Sequence, residues 1–300
     1  MNLDGMFEGH YNGKRHHEPD LAAVLARAAA AGVRRIILTG TNLEESRKAL
    51  AFARAHNASG ALPSLRLFST VGLHPTCTAA LELPPDELEA ALLALALDGL
   101  ADRTVVFIGE CGLDFERLHF SPEAQQRRHF PMHLRLARRT GLPLFLHDRA
   151  THGALLALCA EHGGLPPAGG VVHSFTGTAA ELAGMLAQPG LCIGLNGCGL
   201  KTAENCAVAA TIPLQRLLLE TDAPWCSLKA SSPAFAHARR DLGRAVRREK
   251  WEAGALVKDR NEPCAVVHVA EAYAGLAGVP VERVAAEAEA NLQRLLGAFM

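Results

Sequence analysis

Five side chains able to bind a metal ion or move a proton occupy matching places along this chain. His74, Glu110, His147, His173 and Asp222 each stand at the end of a short apolar run or just beyond it. Glu110 is the sharpest case. It follows VVFIG (105–109), where burying an unpaired carboxylate is costly. A divalent cation would balance that charge. Two carboxylates and three imidazoles make the ligand set of a hydrolytic metal site, in which a carboxylate bridges two ions, imidazoles hold their outer sides and a bound water ionises near neutral pH. Taken singly, a strand-end histidine is more often a satisfied polar residue, and a strand-end carboxylate can cap the next helix. Five at equivalent places favour the metal site.

Such residues need elements that bring them together. Apolar runs rich in Val, Ile, Leu and Phe recur at 34–41, 67–75, 104–114, 142–149, 169–175, 191–197 and 217–224, their starts 22 to 38 residues apart. Each interval has room for one helix. Helix signals fill the intervals: Thr41 and Asn42 before LEESRKALAFARAH, Pro84, Pro85 and Asp86 before ELEAALLALAL, and Ser121 and Pro122 before EAQQRRHFPMHLRLARRT. Gly141 should end the last of these and Pro131 should kink it. Thr178 with Glu181 spells a capping box.

Continuous apolar strands alternating with helices predict a parallel sheet covered on both faces. Seven such units fit an α/β TIM barrel with one strand out of view, or an open doubly wound sheet. No glycine-rich phosphate fingerprint follows any strand, which favours the barrel. In a barrel the five residues would meet at the C-terminal mouth. Residues 225–263 show no strand signal, and two helical segments follow, from about Glu262 to Gly278 and from about Val281 to Phe299. A single domain over 1–300 is expected.

Composition excludes little else. With 49% hydrophobic and 20% charged residues, the 300-residue chain reads as globular rather than disordered. A net charge of −1 gives no global polyanion-binding signal. The eight cysteines form no CxxC pair and read as reduced thiols of an intracellular protein, nuclear or cytoplasmic. No apolar run approaches a membrane span, no secretory signal precedes the first polar segment, and no obligate protein partner is evident.

The motifs GLHP (72–75), GECGLDF (109–115), LFLHDR (144–149), VVHSFTGT (171–178) and LLLETDAPW (217–225), with TGTNLEES (39–46), GLNGCGLKT (194–202) and KDRNEP (258–263), occur in order over nearly the whole chain. Together they resemble the TatD family of metal-dependent deoxyribonucleases, and the eukaryotic branch in particular, because KWEAGALVKDRNEP is absent from the shorter bacterial loop. The resemblance implies an amidohydrolase-type TIM barrel and 3′-5′ exonuclease or DNA-repair activity on nucleic acid, with single-stranded DNA ends as substrate. It also implies dependence on one or two divalent ions, Mg²⁺ before Mn²⁺ or Zn²⁺. It places the metal ligands on Glu110, His147, His173 and Asp222. Glu110 would bridge, His147 and His173 would share one ion, and Asp222 would touch the other and take a proton from the attacking water. His74 would contact the substrate phosphate or leaving group. Arg149 and Arg260 would bind phosphate, the competing reading of Arg260 being an ion pair with Glu262 or Asp222.

The chain departs from the family in two places. Many relatives begin with a strand ending in His-x-His; the eukaryotic branch has Gly and Asn there, after an Asp. Here Met1-Asn2-Leu3 opens the sequence, so the first strand is expected to be short or missing, with Asn2 aligned to the second histidine. The first ion would then be poorly held and two sheet edges left unpaired. Asp148 stands where relatives commonly have Cys, and would add negative charge near the site.

The expected reaction is phosphodiester hydrolysis by a metal-activated water, with Asp222 handling the proton. From Ala223 to Pro263 the chain holds nine Lys or Arg against five Asp or Glu, which suits a phosphate backbone; a solvated insertion would look the same. Trp225 and Phe115 are the aromatics nearest the mouth. Asp114 reads as a loop or substrate-side residue. Two alternatives stand beside this reading: an ester or amide hydrolase acting on the same site, such as one that clears misattached amino acids from tRNA, and a degenerate barrel that binds without turnover.

Overall fold

Strand order decides between the two architectures. A computed structural model describes residues 1–81 and 83–297. Its parallel strands are β1 (Arg35–Leu38), β2 (Arg66–Val71), β3 (Val105–Asp114), β4 (Leu144–Arg149), β5 (Gly170–His173), β6 (Leu191–Leu195) and β7 (Leu217–Leu219). They form one seven-stranded sheet in which each pairs only with its neighbours in the chain. A doubly wound sheet would reverse its order at a switch point. This one never does, and it curls as a TIM-type barrel.

The strands form where the apolar runs predict, because a strand buried on both faces needs no polar alternation. All ten residues of β3 are buried. Phe68, Phe107, Phe145, Val171 and Leu218 cluster with Leu296 of the last helix. On the outer face Ile108, Leu144, Leu146 and Ile193 join Leu92, Leu134 and Leu182 of the covering helices, each fully buried aliphatic contributing roughly 1.5–3 kcal/mol.

The helices are α1 (Leu21–Ala30), α2 (Leu43–Ser59), α3 (Pro85–Ala101), α4 (Glu123–Thr140), α5 (Ala154–Glu161), α6 (Ala179–Leu186), α7 (Ala203–Ala209), α8 (Val266–Ala277) and α9 (Val281–Leu296). Asn42 caps α2 by accepting from Glu45 N–H, and the Thr178–Glu181 capping box is formed at α6. α4 runs through Pro131 to an αL Gly141. The end expected at Phe299 lies outside the described residues. Among the described residues no single helix is long and apolar enough to cross a membrane.

Residues 225–263 differ slightly from expectation: Ala245–Val246 pair in parallel with Leu256–Val257, a ladder too short to leave a periodic signal. The segment packs on the start of the chain, where Trp251 stacks on His17 at 5.1 Å.

β1 and β7 do not pair with each other. Met1 and Asn2 lie between them. Met1 N donates to Ile37 O at 3.0 Å, Thr39 N–H donates to Met1 O at 2.8 Å, and Asn2 N–H donates to Ala223 O at 2.8 Å. Two residues thus stand in the first-strand position near the mouth. Beside them a cavity of about 590 Å³, lined by Ile37, Phe107, Phe145, Val171, Leu218 and Leu292, opens the barrel wall.

Candidate metal centre

Glu110 reaches the mouth through an irregularity in β3. The register with β4 passes from Gly109↔Phe145 directly to Cys111↔Leu146, which leaves Glu110 as the extra, unpaired residue of a bulge. Its N–H instead donates to Gly40 O, 2.9 Å away at the end of β1. The neighbouring backbone comes so close that a Cβ on Gly72 would lie 2.5 Å from Gly109 Cα. Glycine in GLHP is therefore required by contact, not by turn geometry.

Around Glu110 the strand ends converge. Its Oε1 lies 2.8 Å from His147 Nδ1 and 3.3 Å from His74 Nε2. His74 Nε2 and His147 Nδ1 are 3.3 Å apart, and His74 Nδ1 is tied to Thr76 Oγ1 at 2.6 Å. These three residues offer ligand atoms within 4.8 Å of one another. On the other side, His173 Nε2 lies 3.8 Å from Glu110 Oε1 and 3.9 Å from Asp222 Oδ2. The structure therefore groups His147 with His74, whereas the resemblance pairs it with His173. Glu110 stands between the two groups.

Two further carboxylates complete the site. Glu220 hydrogen-bonds His173 Nδ1 and accepts the Ser174 N–H, leaving His173 Nε2 to face Glu110 and Asp222. Glu220 sits two residues before Asp222, the same-face spacing of a strand; that spacing was the available signal for it. Asp114 is not a loop residue. It ends β3 fully buried, accepts from Glu116 and Arg117 N–H at 3.1 and 3.0 Å, and places Oδ2 3.1 Å from His147 Nε2. Asp222 is oriented by Asn2, whose Nδ2 donates to Oδ1 at 2.8 Å.

Charge explains the crowding. Burial opposes ionisation of Glu110, but His74 and His173 outweigh it and hold the carboxyl well below its usual range. Burial also opposes a charge on His173, yet Glu220, Glu110 and Asp222 push it up to about 10. His147 is likewise raised against burial by Asp114 and Glu110. Among the described residues no Lys or Arg forms an ion pair with Glu110, Glu220 or Asp222. Carboxylates facing imidazoles, with no Lys or Arg among the described residues paired to Glu110, Glu220 or Asp222, are a donor set fitted to divalent cations.

The remaining candidates separate. Arg149 ends β4 two residues beyond His147, half-buried, with Nη1 3.3 Å from Glu116 and Nε buried without a partner. Arg260 is not brought to the mouth: its guanidinium is fully buried, bidentate on Asp20 at 2.7 Å and bonded to Glu262 at 2.8 Å. It is a structural ion pair, with Glu262 as one partner and Asp20, not Asp222, as the other. Asp148 accepts from Thr151 Oγ1, and burial raises its pKa. Trp225 is exposed, while Phe115 is partly buried under Arg127. In the loop after β7, Arg239, Arg240, Arg247, Lys250 and Lys258 are exposed and, among the described residues, make no ion pair.

Comparison with known proteins adds independent evidence. The family model described as TatD related DNase matches residues 9–297. A protein named deoxyribonuclease Tat-D from Schizosaccharomyces pombe is 38% identical over 298 residues, covering 98% of this chain and 92% of that one. A protein named 3′-5′ ssDNA/RNA exonuclease TatD from Cronobacter sakazakii is 38% identical over 279 residues, covering 92% and 91%. The crystal structure of a TatD family hydrolase from Entamoeba histolytica superimposes with a TM-score of 0.89 at 32% identity, covering 98% of this chain and 95% of that one.

Proposed function

Because this chain belongs to the TatD-related DNase family, we propose that it hydrolyses phosphodiester bonds at single-stranded 3′ ends of nucleic acid, with divalent cations held at Glu110. The observation that carries the reading is the set of carboxylates that meets His74, His147 and His173 at the barrel mouth, with Glu110 buried and Glu220 and Asp222 half-buried, these three forming no ion pair with a Lys or Arg among the described residues. His74, His147 and Glu110 would hold one ion, and Glu110, His173 and Asp222 a second, Mg²⁺ being the proposed metal. When bound, the ions polarise the scissile phosphate and the attacking water.

The protein's own groups do the rest. Asp222 accepts the proton of the attacking water; Asn2 fixes its Oδ1, while Oδ2 faces the weak thiol donor of Cys226 and is the more available base. Glu220 and Asp114 fix the rings of His173 and His147, and Thr76 fixes that of His74. Arg149, half-buried at the end of β4, offers its guanidinium to a phosphate oxygen. The exposed cations of the loop after β7 guide the strand without reading its bases. An intracellular site of action fits eight cysteines that are all free.

The test is degradation of an end-labelled single-stranded oligonucleotide with Mg²⁺, Mn²⁺ or Zn²⁺ supplied. Shortening from the 3′ end, lost in Glu110→Gln and on chelation, is the expected result. Ester cleavage of aminoacyl-tRNA without shortening would replace the reading by an acyl hydrolase. DNA binding without turnover, unchanged in Glu110→Gln, would replace it by a binding barrel.

A further inference from the structure

Two thiols stand in contact beside the proposed general base. Cys198 Sγ and Cys226 Sγ are 3.0 Å apart, and Cys226 Sγ lies 3.3 Å from Asp222 Oδ2. Both cysteines are half-buried, unlike the deeply buried Cys111, Cys159 and Cys206. Cys198 opens the short turn Cys198–Leu200 after β6, and Cys226 lies in the loop that leaves Asp222.

The two loops are packed backbone to backbone. A Cβ on Gly197 would fall 2.4 Å from both Cys226 O and Leu228 N. Cys198 N–H donates to Asn196 Oδ1 at 2.9 Å, and Asn196 Nδ2 donates to Ser174 Oγ at 2.9 Å, which anchors the turn to β5. The thiols are therefore held face to face by rigid supports. Closing 3.0 Å to a bonded S–S distance of about 2.05 Å takes little more than side-chain rotation.

We propose that Cys198 and Cys226 form a reversible disulfide that turns the metal centre down under oxidising conditions. With a peroxide as oxidant, one thiol is oxidised to a sulfenic acid while the peroxide is reduced and releases water or an alcohol. The second thiol then attacks that sulfur, the S–S bond forms and the sulfenic hydroxyl leaves as water. A dithiol returns both cysteines to thiols by exchange, and is itself oxidised. The bond removes the Cys226 S–H that points at Asp222 and ties the loop carrying Asp222 to the β6 loop. The loss of activity rests on the proposed role of Asp222; formation of the bond does not.

The test uses the full-length protein, treated with hydrogen peroxide and then with dithiothreitol. Peptide mapping after alkylation should show a Cys198–Cys226 cross-link that dithiothreitol removes. Mg²⁺-dependent shortening of single-stranded DNA should fall by about tenfold or more with the cross-link and recover on reduction. Cys198→Ser and Cys198→Ala should keep their activity through the same treatment. The proposal is overturned by an absent cross-link, by conversion of these thiols to sulfinic acids instead, or by a cross-link that leaves activity unchanged. A cross-linkable protein with no nuclease activity when reduced would instead overturn the functional reading and leave the thiol chemistry standing.

Discussion

Asp114 Oδ2 lies 3.1 Å from His147 Nε2, with the carboxyl fully buried at the end of β3 and Glu110 on the ring's other nitrogen at 2.8 Å. One imidazole is thus gripped from both sides. With Nδ1 turned to the candidate metal position, Asp114 fixes the ring's orientation and raises its basicity. A carboxylate behind a metal-binding histidine would act in this way.

Asp114→Asn keeps the shape and removes the charge. We expect half-saturation by Mg²⁺ to move up by about 10- to 100-fold, the range for losing such a partner. Activity at saturating metal should largely recover. Activity against Mg²⁺ concentration, with calorimetric titration of the metal alone, checks this. An unchanged half-saturation point would remove Asp114 from the site.

Arg260 should act on stability and not on substrate. Arg260→Met leaves Asp20 and Glu262 buried, with Arg27 as the cation still beside them at 3.9 and 2.8 Å. Breaking a buried pair from one side costs about 3–5 kcal/mol, to be read by denaturant unfolding. The KM of the molecules that remain folded should not move. A raised KM at unchanged stability would restore the phosphate-binding role expected from the sequence.

Legibility followed how local each signal is. Glu110 showed itself because a charge at the end of an apolar run is conspicuous, and the strands did because burial on both faces leaves unbroken runs of Val, Ile, Leu and Phe. Asp114 was misread because the bulge at Glu110 inserts a residue and breaks the alternation by which facing is inferred. Glu220 was overshadowed by Asp222 two residues on. For Arg260 the ion pair with Glu262 was legible as one of two readings, but the main partner, Asp20, lies 240 residues away in sequence, a distance no local pattern spans. The grouping of His74 with His147 depends on side-chain directions that spacing leaves undetermined.

Arg149 should report on the substrate phosphate. Its one ion pair among the described residues, with exposed Glu116 at 3.3 Å, contributes about 0–1 kcal/mol, so Arg149→Met should leave stability nearly unchanged. KM for single-stranded DNA should rise, and the salt dependence of binding should fall by about one phosphate contact. Binding measured across salt concentrations, with KM and kcat separated, checks both. An unchanged salt slope would show that Arg149 does not touch the backbone.

The last prediction concerns the support beneath His74. Leu73 N–H donates to His133 Nε2 at 3.0 Å, and His133 Nδ1 faces Phe130 O at 3.3 Å. Nε2 must therefore stay unprotonated for the loop carrying His74 to hold its place. Burial pushes His133 down to about 4 from an ordinary 6.5. Above pH 6.5 the ring is neutral folded and unfolded alike, and its contribution is fully present. As pH falls from 6.5 towards 4 the unfolded chain takes up the proton and the folded one does not. Stability then drops by about 3 kcal/mol in all, and no further once both forms are protonated. His133→Gln offers a carbonyl oxygen to Leu73 N–H but does not titrate. Subtracting its pH profile of unfolding free energy from the parent's should leave a loss confined to that window; a flat difference would mean that His133 titrates alike in the folded and unfolded protein and is not held neutral by burial.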